Sequence, residues 1–163
     1  MVLSAKKNDK EIVLHNAVWV LLADRERAKL CRCGLTKNAR CHVEIHEVLE
    51  NGWPGHDHPK SSPQWKNATV SYGIEEDDWQ EDSKRFVREI TDWLDRRMKQ
   101  HAITHLVTVM PPRLAGVFRK TKFAQSHTQN VIQYRGDLVN MPAAKLAEHA
   151  VIQGLVTGDT NEA

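Results

Sequence analysis

No run of about 18 apolar residues occurs in the 163-residue chain, so no segment is built to cross a bilayer as a helix. Residues 1–10 are polar and lack the apolar stretch of a secretory signal. Cysteine is scarce: three residues, an odd count, do not make a disulfide framework and fit a reducing compartment. The expectation is therefore a cytoplasmic protein with no membrane association. Net charge is also low, at +2, so the overall balance does not argue for nucleic acid and only local clustering can. Neither a P-loop nor a G-x-G-x-x-G turn is present, which removes the usual cradles for a bound nucleotide. There is no G-x-S-x-G elbow, and Ser126 and His127 cannot form a nucleophile–base pair merely by adjacency. What remains is ordinary, with 40% hydrophobic and 27% charged residues. A chain of this length is one domain by prior and buries roughly 70% of its unfolded surface.

Residues 102–122, AITHLVTVMPPRLAGVFRKTK, hold the most informative stretch. Ile103, Leu106, Val107 and Val109 form a compact β-branched run that reads as a buried strand. Pro111 and Pro112 end it, because proline donates no backbone N–H, and Pro112 suits the first turn of a following helix. Leu114, Val117 and Phe118 then recur at helical spacing. A strand that delivers a cationic helix start to the carboxyl edge of a sheet lies where open α/β sheets bind ligands.

Around this unit the chain divides by pattern. Residues 1–14 read as a flexible arm. Residues 17–23, AVWVLLA, are a second apolar run, and 28–34 and 41–49 alternate, so three strands joined by short links predict an antiparallel meander. Pro54, Pro59, Pro63 and several glycines and serines make 51–72 a long mobile loop carrying Trp53 and Trp65. Trp79, Ser83, Phe86, Val87, Ile90, Trp93, Leu94 and Met98 keep helical spacing over more than five turns, which makes Trp79, Phe86 and Trp93 core residues. Acids from Glu75 to Asp82 crowd the start of that helix and Arg96, Arg97 and Lys99 its end, complementing the backbone dipole. Residues 130–134 are a fifth strand, 142–153 one closing helix stopped by Gly154, and 155–163 a tail. With right-handed crossovers, β-β-β-α-β-α-β-α predicts an α/β fold: a ribonuclease-H-like mixed five-stranded sheet of order 3-2-1-4-5, helices on its faces, in a single domain over 15–154.

Three constellations could carry chemistry. An acidic nuclease of this fold would use Asp24 with Glu89, but two-metal chemistry needs several converging carboxylates and the later strands supply none. Asp24 instead suits a turn, accepting backbone N–H bonds or pairing with Arg27 as a small polar site. Cys31, Cys33, Cys41, His42, His46, His56 and His58 are close in sequence, yet C-x-C on a strand holds its thiols about 7 Å apart, far for one zinc ion. No metal and no cofactor are expected. The third is a cationic tract. Arg113, Arg119, Lys120, Lys122 and Arg135 are accompanied by no acid until Asp137. Such a patch can hold RNA phosphates through counterion release, the alternative being a solvated helix face.

The segments W-V-L-L-A-D-R-E-R-A-K-L (residues 19–30), V-M-P-P-R-L-A-G (109–116) and D-L-V-N (137–140) resemble the bacterial host attachment protein family. That family is grouped by distant similarity with the central domain of archaeal–eukaryal release factors and Pelota. The resemblance implies the ribonuclease-H-like sheet already reached from element order, and a cytosolic protein; it leaves open RNA or ribosome binding as a release-factor-like, translation-associated factor. It carries over no catalytic residues, and the Gly-Gly-Gln tripeptide used by the release factors for peptide release is absent here. The expectation is a non-enzymatic binding protein with RNA, the ribosome or a protein as partner. A metal-dependent hydrolase and a protein-binding module acting through the tryptophan-bearing loop are the competing readings.

Overall fold

The structure, a computed structural model, describes residues 13–52 and 72–158, with side chains from residue 79 onward in the second segment. The arm up to residue 12, the loop residues Trp53, Trp65, His56 and His58, the side chains of Glu75 to Asp78 and the tail from residue 159 lie outside the described residues.

Five strands, β1 (His15–Ala23), β2 (Arg27–Leu35), β3 (Cys41–Glu50), β4 (Leu106–Met110) and β5 (Val131–Arg135), form one sheet in the order β3-β2-β1-β4-β5. This is the expected order. The first three strands run as an antiparallel meander, while β4 lies parallel to β1 and β5 parallel to β4. Helix α1 (Tyr72–Gln100) makes the crossover from β3 to β4, and α2 (Pro112–Arg119) and α3 (Lys122–Ser126) that from β4 to β5. The chain closes with α4 (Ala143–Glu148) and α5 (Ala150–Thr157).

Alternation decides the layers. Leu21, Ala23, Ala28, Leu30, Leu106 and Met110 pack under α1, α2 and α3 against Phe86, Ile90, Leu94, Leu114 and Phe118. Their neighbours along the strands, Val20, Leu22, Cys31, Cys33, Val107 and Val109, face α4 and α5 and meet Leu146, Ile152 and Val156. All five residues of β4 are buried, as a strand covered on both faces requires. The edge strands are wetter and expose Ile45, Val48 and Ile132. Close packing at the end of β2 needs glycine: a Cβ on Gly34 would sit 2.8 Å from Leu14 Cβ and 3.0 Å from the His15 carbonyl oxygen.

Two local features depart from the sequence reading. The helix expected over 142–153 is two helices, broken at His149, whose φ of −75° and ψ of 137° are extended. There the imidazole Nδ1 accepts the Val151 amide at 3.1 Å and caps the second helix. Gly154 does not end it. The helix runs on to Thr157, and Gly158 closes it at φ 83°, in the left-handed region glycine favours. The second departure is α3, which starts because Thr121 Oγ1 accepts the Ala124 amide at 3.1 Å.

Candidate nucleic-acid interface

The parallel strands β1, β4 and β5 finish at one edge of the sheet, so Asp24, Pro111 and Gly136 follow one another across it. Asp24 forms the turn into β2. Its Oδ1 accepts the amides of Glu26 at 2.7 Å and Arg27 at 2.9 Å, and its own amide donates to the Arg27 carbonyl at 2.9 Å. Asn140, just beyond β5, donates from Nδ2 to Asp24 Oδ2 at 3.3 Å and accepts Arg27 Nη1 on Oδ1 at 2.7 Å. Arg27 thus pairs with Asn140, and more loosely with Glu50 at 3.5 Å; toward Asp24 it gives its amide rather than its guanidinium. The carboxylate of Asp24 is occupied by a turn and an amide, which suits positioning rather than metal ligation. Glu89, the partner a nuclease would need, is exposed on α1 ten residues past Trp79, about 15 Å along the helix axis.

Beside this network lies a cation–aromatic stack. Arg113, in the first turn of α2, places its guanidinium carbon 3.9 Å from the centroid of Trp79 on α1, and Arg25 approaches the same ring at 5.7 Å. Arg25 is also held by buried Asp82 at 3.2 Å, and Asn51 Nδ2 donates to the Arg25 carbonyl at 2.9 Å. Trp79 therefore departs from the expected core role. Phe86 and Trp93 are buried, whereas Trp79 is half-buried and serves as a platform for guanidinium groups.

A groove of about 600 Å³ lies between α1 and the α2–α3 pair. Lys120 and Lys122 line it from one wall and Lys84 and Arg88 from the other. The geometry follows from Thr121, which sits between the two lysines. Its hydroxyl donates to the Phe118 carbonyl at 2.8 Å and caps α3, turning the chain where α2 ends. None of the four cationic side chains makes an ion pair or hydrogen bond among the described residues. The floor is apolar, with Val87, Val117 and Phe123.

The five cations of the sequence tract are thus divided. Lys120 and Lys122 line the groove, Arg113 rests on Trp79 outside its lining, and Arg135 is exposed at the carboxyl end of β5, opposite Met110. Arg119 lies six residues after Arg113 on α2, about 120° around the helix, and does not line the groove. Lys84, Arg88 and Arg25 stand outside that tract. On a helix surface or in a hairpin a cation carries no signal until its neighbours in space are known.

The sulfur and imidazole groups form a separate region. Cys31 and Cys33 are buried against α4 and α5, and all three cysteines are free. Burial pushes the Cys31 thiol up to about 12 and raises Cys33 and Cys41 as well. His46 and His101 pack on Trp19, with centroid separations of 4.8 and 5.1 Å. Among the described residues no three His, Cys, Asp or Glu side chains are arranged to hold a metal ion.

Fold and edge together define a class: an open, mixed five-stranded α/β protein with a polar network at the carboxyl ends of its parallel strands. The chain belongs to the family described as protein required for attachment to host cells, whose model matches residues 19–150. The segments 19–30, 109–116 and 137–140, which carry the resemblance in sequence, meet at this edge through Arg25, Arg27, Arg113 and Asn140. Among solved structures, an archaeal translation termination factor, aRF1, is similar over 90% of this chain and 39% of that one, at 17% identity and a TM-score of 0.40. A structure titled only as an archaeal protein is similar over 90% and 38%, at 14% identity and a TM-score of 0.39. The chain spans about two-fifths of the length of these solved chains. No curated protein was found to match it. No helix among the described residues is long and apolar enough to cross a membrane.

Proposed function

We propose that this protein acts by binding RNA, free or within the ribosome, and that it does so through phosphates held between α1 and the α2–α3 pair. The observation that carries the reading is the set of four cations, Lys84, Arg88, Lys120 and Lys122, facing one groove from two walls without a carboxylate partner among the described residues. Like charges gathered on opposing walls repel one another and are relieved when a polyanion enters. Arg113 on Trp79 extends the positive surface to the sheet edge, and Arg135 adds a further exposed cation on that edge. The Asp24–Asn140–Arg27 network serves this surface by fixing the edge, as a scaffold rather than as a reacting group.

Fluorescence anisotropy with a labelled single-stranded RNA over a salt series tests the proposal. Replacing Lys84, Arg88, Lys120 and Lys122 together with Ala is expected to weaken binding. The slope of log K against log salt should fall by about 3, since each neutralised phosphate on a single strand contributes about 0.7. Binding by the parent protein that is unaffected by the replacements, or no binding at low salt, would reject it.

A further inference from the structure

The groove is divided in its chemistry along its length. On α1 its lining runs from Lys84 and Arg88 to Asp92 and Asp95, each step about one helical turn. The two aspartates are exposed and make no ion pair or hydrogen bond among the described residues, although four cations line the same groove. His127, which lines the same groove, is stacked on Phe123, with ring centroids 4.4 Å apart and planes at 29°. Its Nδ1 lies 2.9 Å from the Phe123 carbonyl oxygen, which fixes the plane of the imidazole. One end of the groove therefore suits a phosphate. The other offers carboxylate acceptors beside an aromatic face and repels a phosphate.

Resting on the RNA reading above, we propose that this groove takes a segment of single-stranded RNA and reads a guanine base at its acidic end. A ligand that complements both ends carries negative charge at one point and adjacent N–H donors nearby. A nucleotide meets that description when its base is guanine. Guanine alone among the four bases presents two neighbouring N–H groups, N1–H and the 2-amino group, to a carboxylate, whereas the pairing edges of adenine, cytosine and uracil each place a donor beside an acceptor. The exposed side of His127 supplies the stacking surface that a splayed-out base uses.

The test compares two labelled ten-nucleotide RNAs by anisotropy, one all adenine and one with a central guanine, on the full chain and on the Asp92→Asn/Asp95→Asn variant. Both substitutions are on an exposed helix face, and circular dichroism checks that the fold persists. The guanine oligomer is expected to bind roughly tenfold more tightly to the parent, within the range of a bidentate base contact. In the variant that preference should vanish while affinity for the adenine oligomer holds or rises. Equal binding of the two oligomers by the parent, or a guanine preference that survives in the variant, overturns the base-reading proposal and leaves the phosphate reading standing. Absence of binding to either oligomer at low salt overturns both.

Discussion

Arg27 and Asn140, 113 positions apart in the chain, join by a 2.7 Å hydrogen bond from the guanidinium to the side-chain amide oxygen. The bond ties the β1–β2 turn to the segment after β5 across the carboxyl edge of the sheet. Asn140 also donates to Asp24, so one amide links both residues of the turn. Asn140→Ala is expected to cost about 0.5–1.5 kcal/mol in urea unfolding. A double-mutant cycle with Arg27→Ala should return a coupling of about 0.5–1 kcal/mol, and strictly additive losses would show that the bond does not form.

At the end of α1, Ala102 has a φ of 53°, in the left-handed region where a side chain is strained. The Ile103 amide reaches the Met98 carbonyl at 2.8 Å and the Ala102 amide that of Lys99 at 3.4 Å, the bond pattern of a Schellman cap. Ala102→Gly should therefore raise stability by about 0.5–1 kcal/mol. A lowered midpoint in thermal unfolding would contradict that geometry.

Glu47 on β3 links the sheet to α1. Hydrogen bonds from the Arg97 guanidinium, its charge and a bond from Trp93 Nε1 hold the Glu47 carboxyl below the ordinary value of 4.5. A depressed native value stabilises the fold fully above the unfolded value and is lost as pH falls through the native one. Parent protein should thus exceed Glu47→Gln in melting temperature at pH 7, and the difference should shrink as pH falls below about 4.5. A difference independent of pH between 7 and 3 would count against the interaction.

Thiol reactivity should separate the cysteines by position. Burial raises Cys31 and Cys33 and keeps them protonated near neutral pH, while Cys41 is only partly covered. A thiol reagent at pH 8 is expected to label Cys41 in the native protein and the other two only on unfolding. Rapid labelling of all three before unfolding would show that the α4–α5 layer does not cover β2.

The sheet order is legible in the sequence because the strands announce themselves by burial pattern. The run at Leu106–Met110, apolar but for Thr108, reads as central, and the alternating Arg27–Leu35 and Cys41–Glu50 pair in a meander. The breaks are not legible where a side chain, not propensity, makes them. His149 interrupts an alanine-rich helix by capping the next, and Thr121 starts a new one after α2. For the interface, the cationic tract after Pro111 stands out in sequence, but its opposing wall does not. Lys84 and Arg88 lie among nine acids and four other bases on one helix, where charge of either sign is the ordinary solvent face. Trp79 keeps the spacing of the core stripe, yet its place near the sheet edge leaves the ring to Arg25 and Arg113.

Amide chemical-shift mapping of the ¹⁵N-labelled full chain, titrated with single-stranded RNA at low salt, addresses the binding face most directly. Perturbations are expected to concentrate on residues 80–95 and 113–127, the elements that form the two walls of the groove, with α4 and α5 silent. Perturbations centred on β3, α4 or α5, or a spectrum unchanged at saturating RNA, would contradict it.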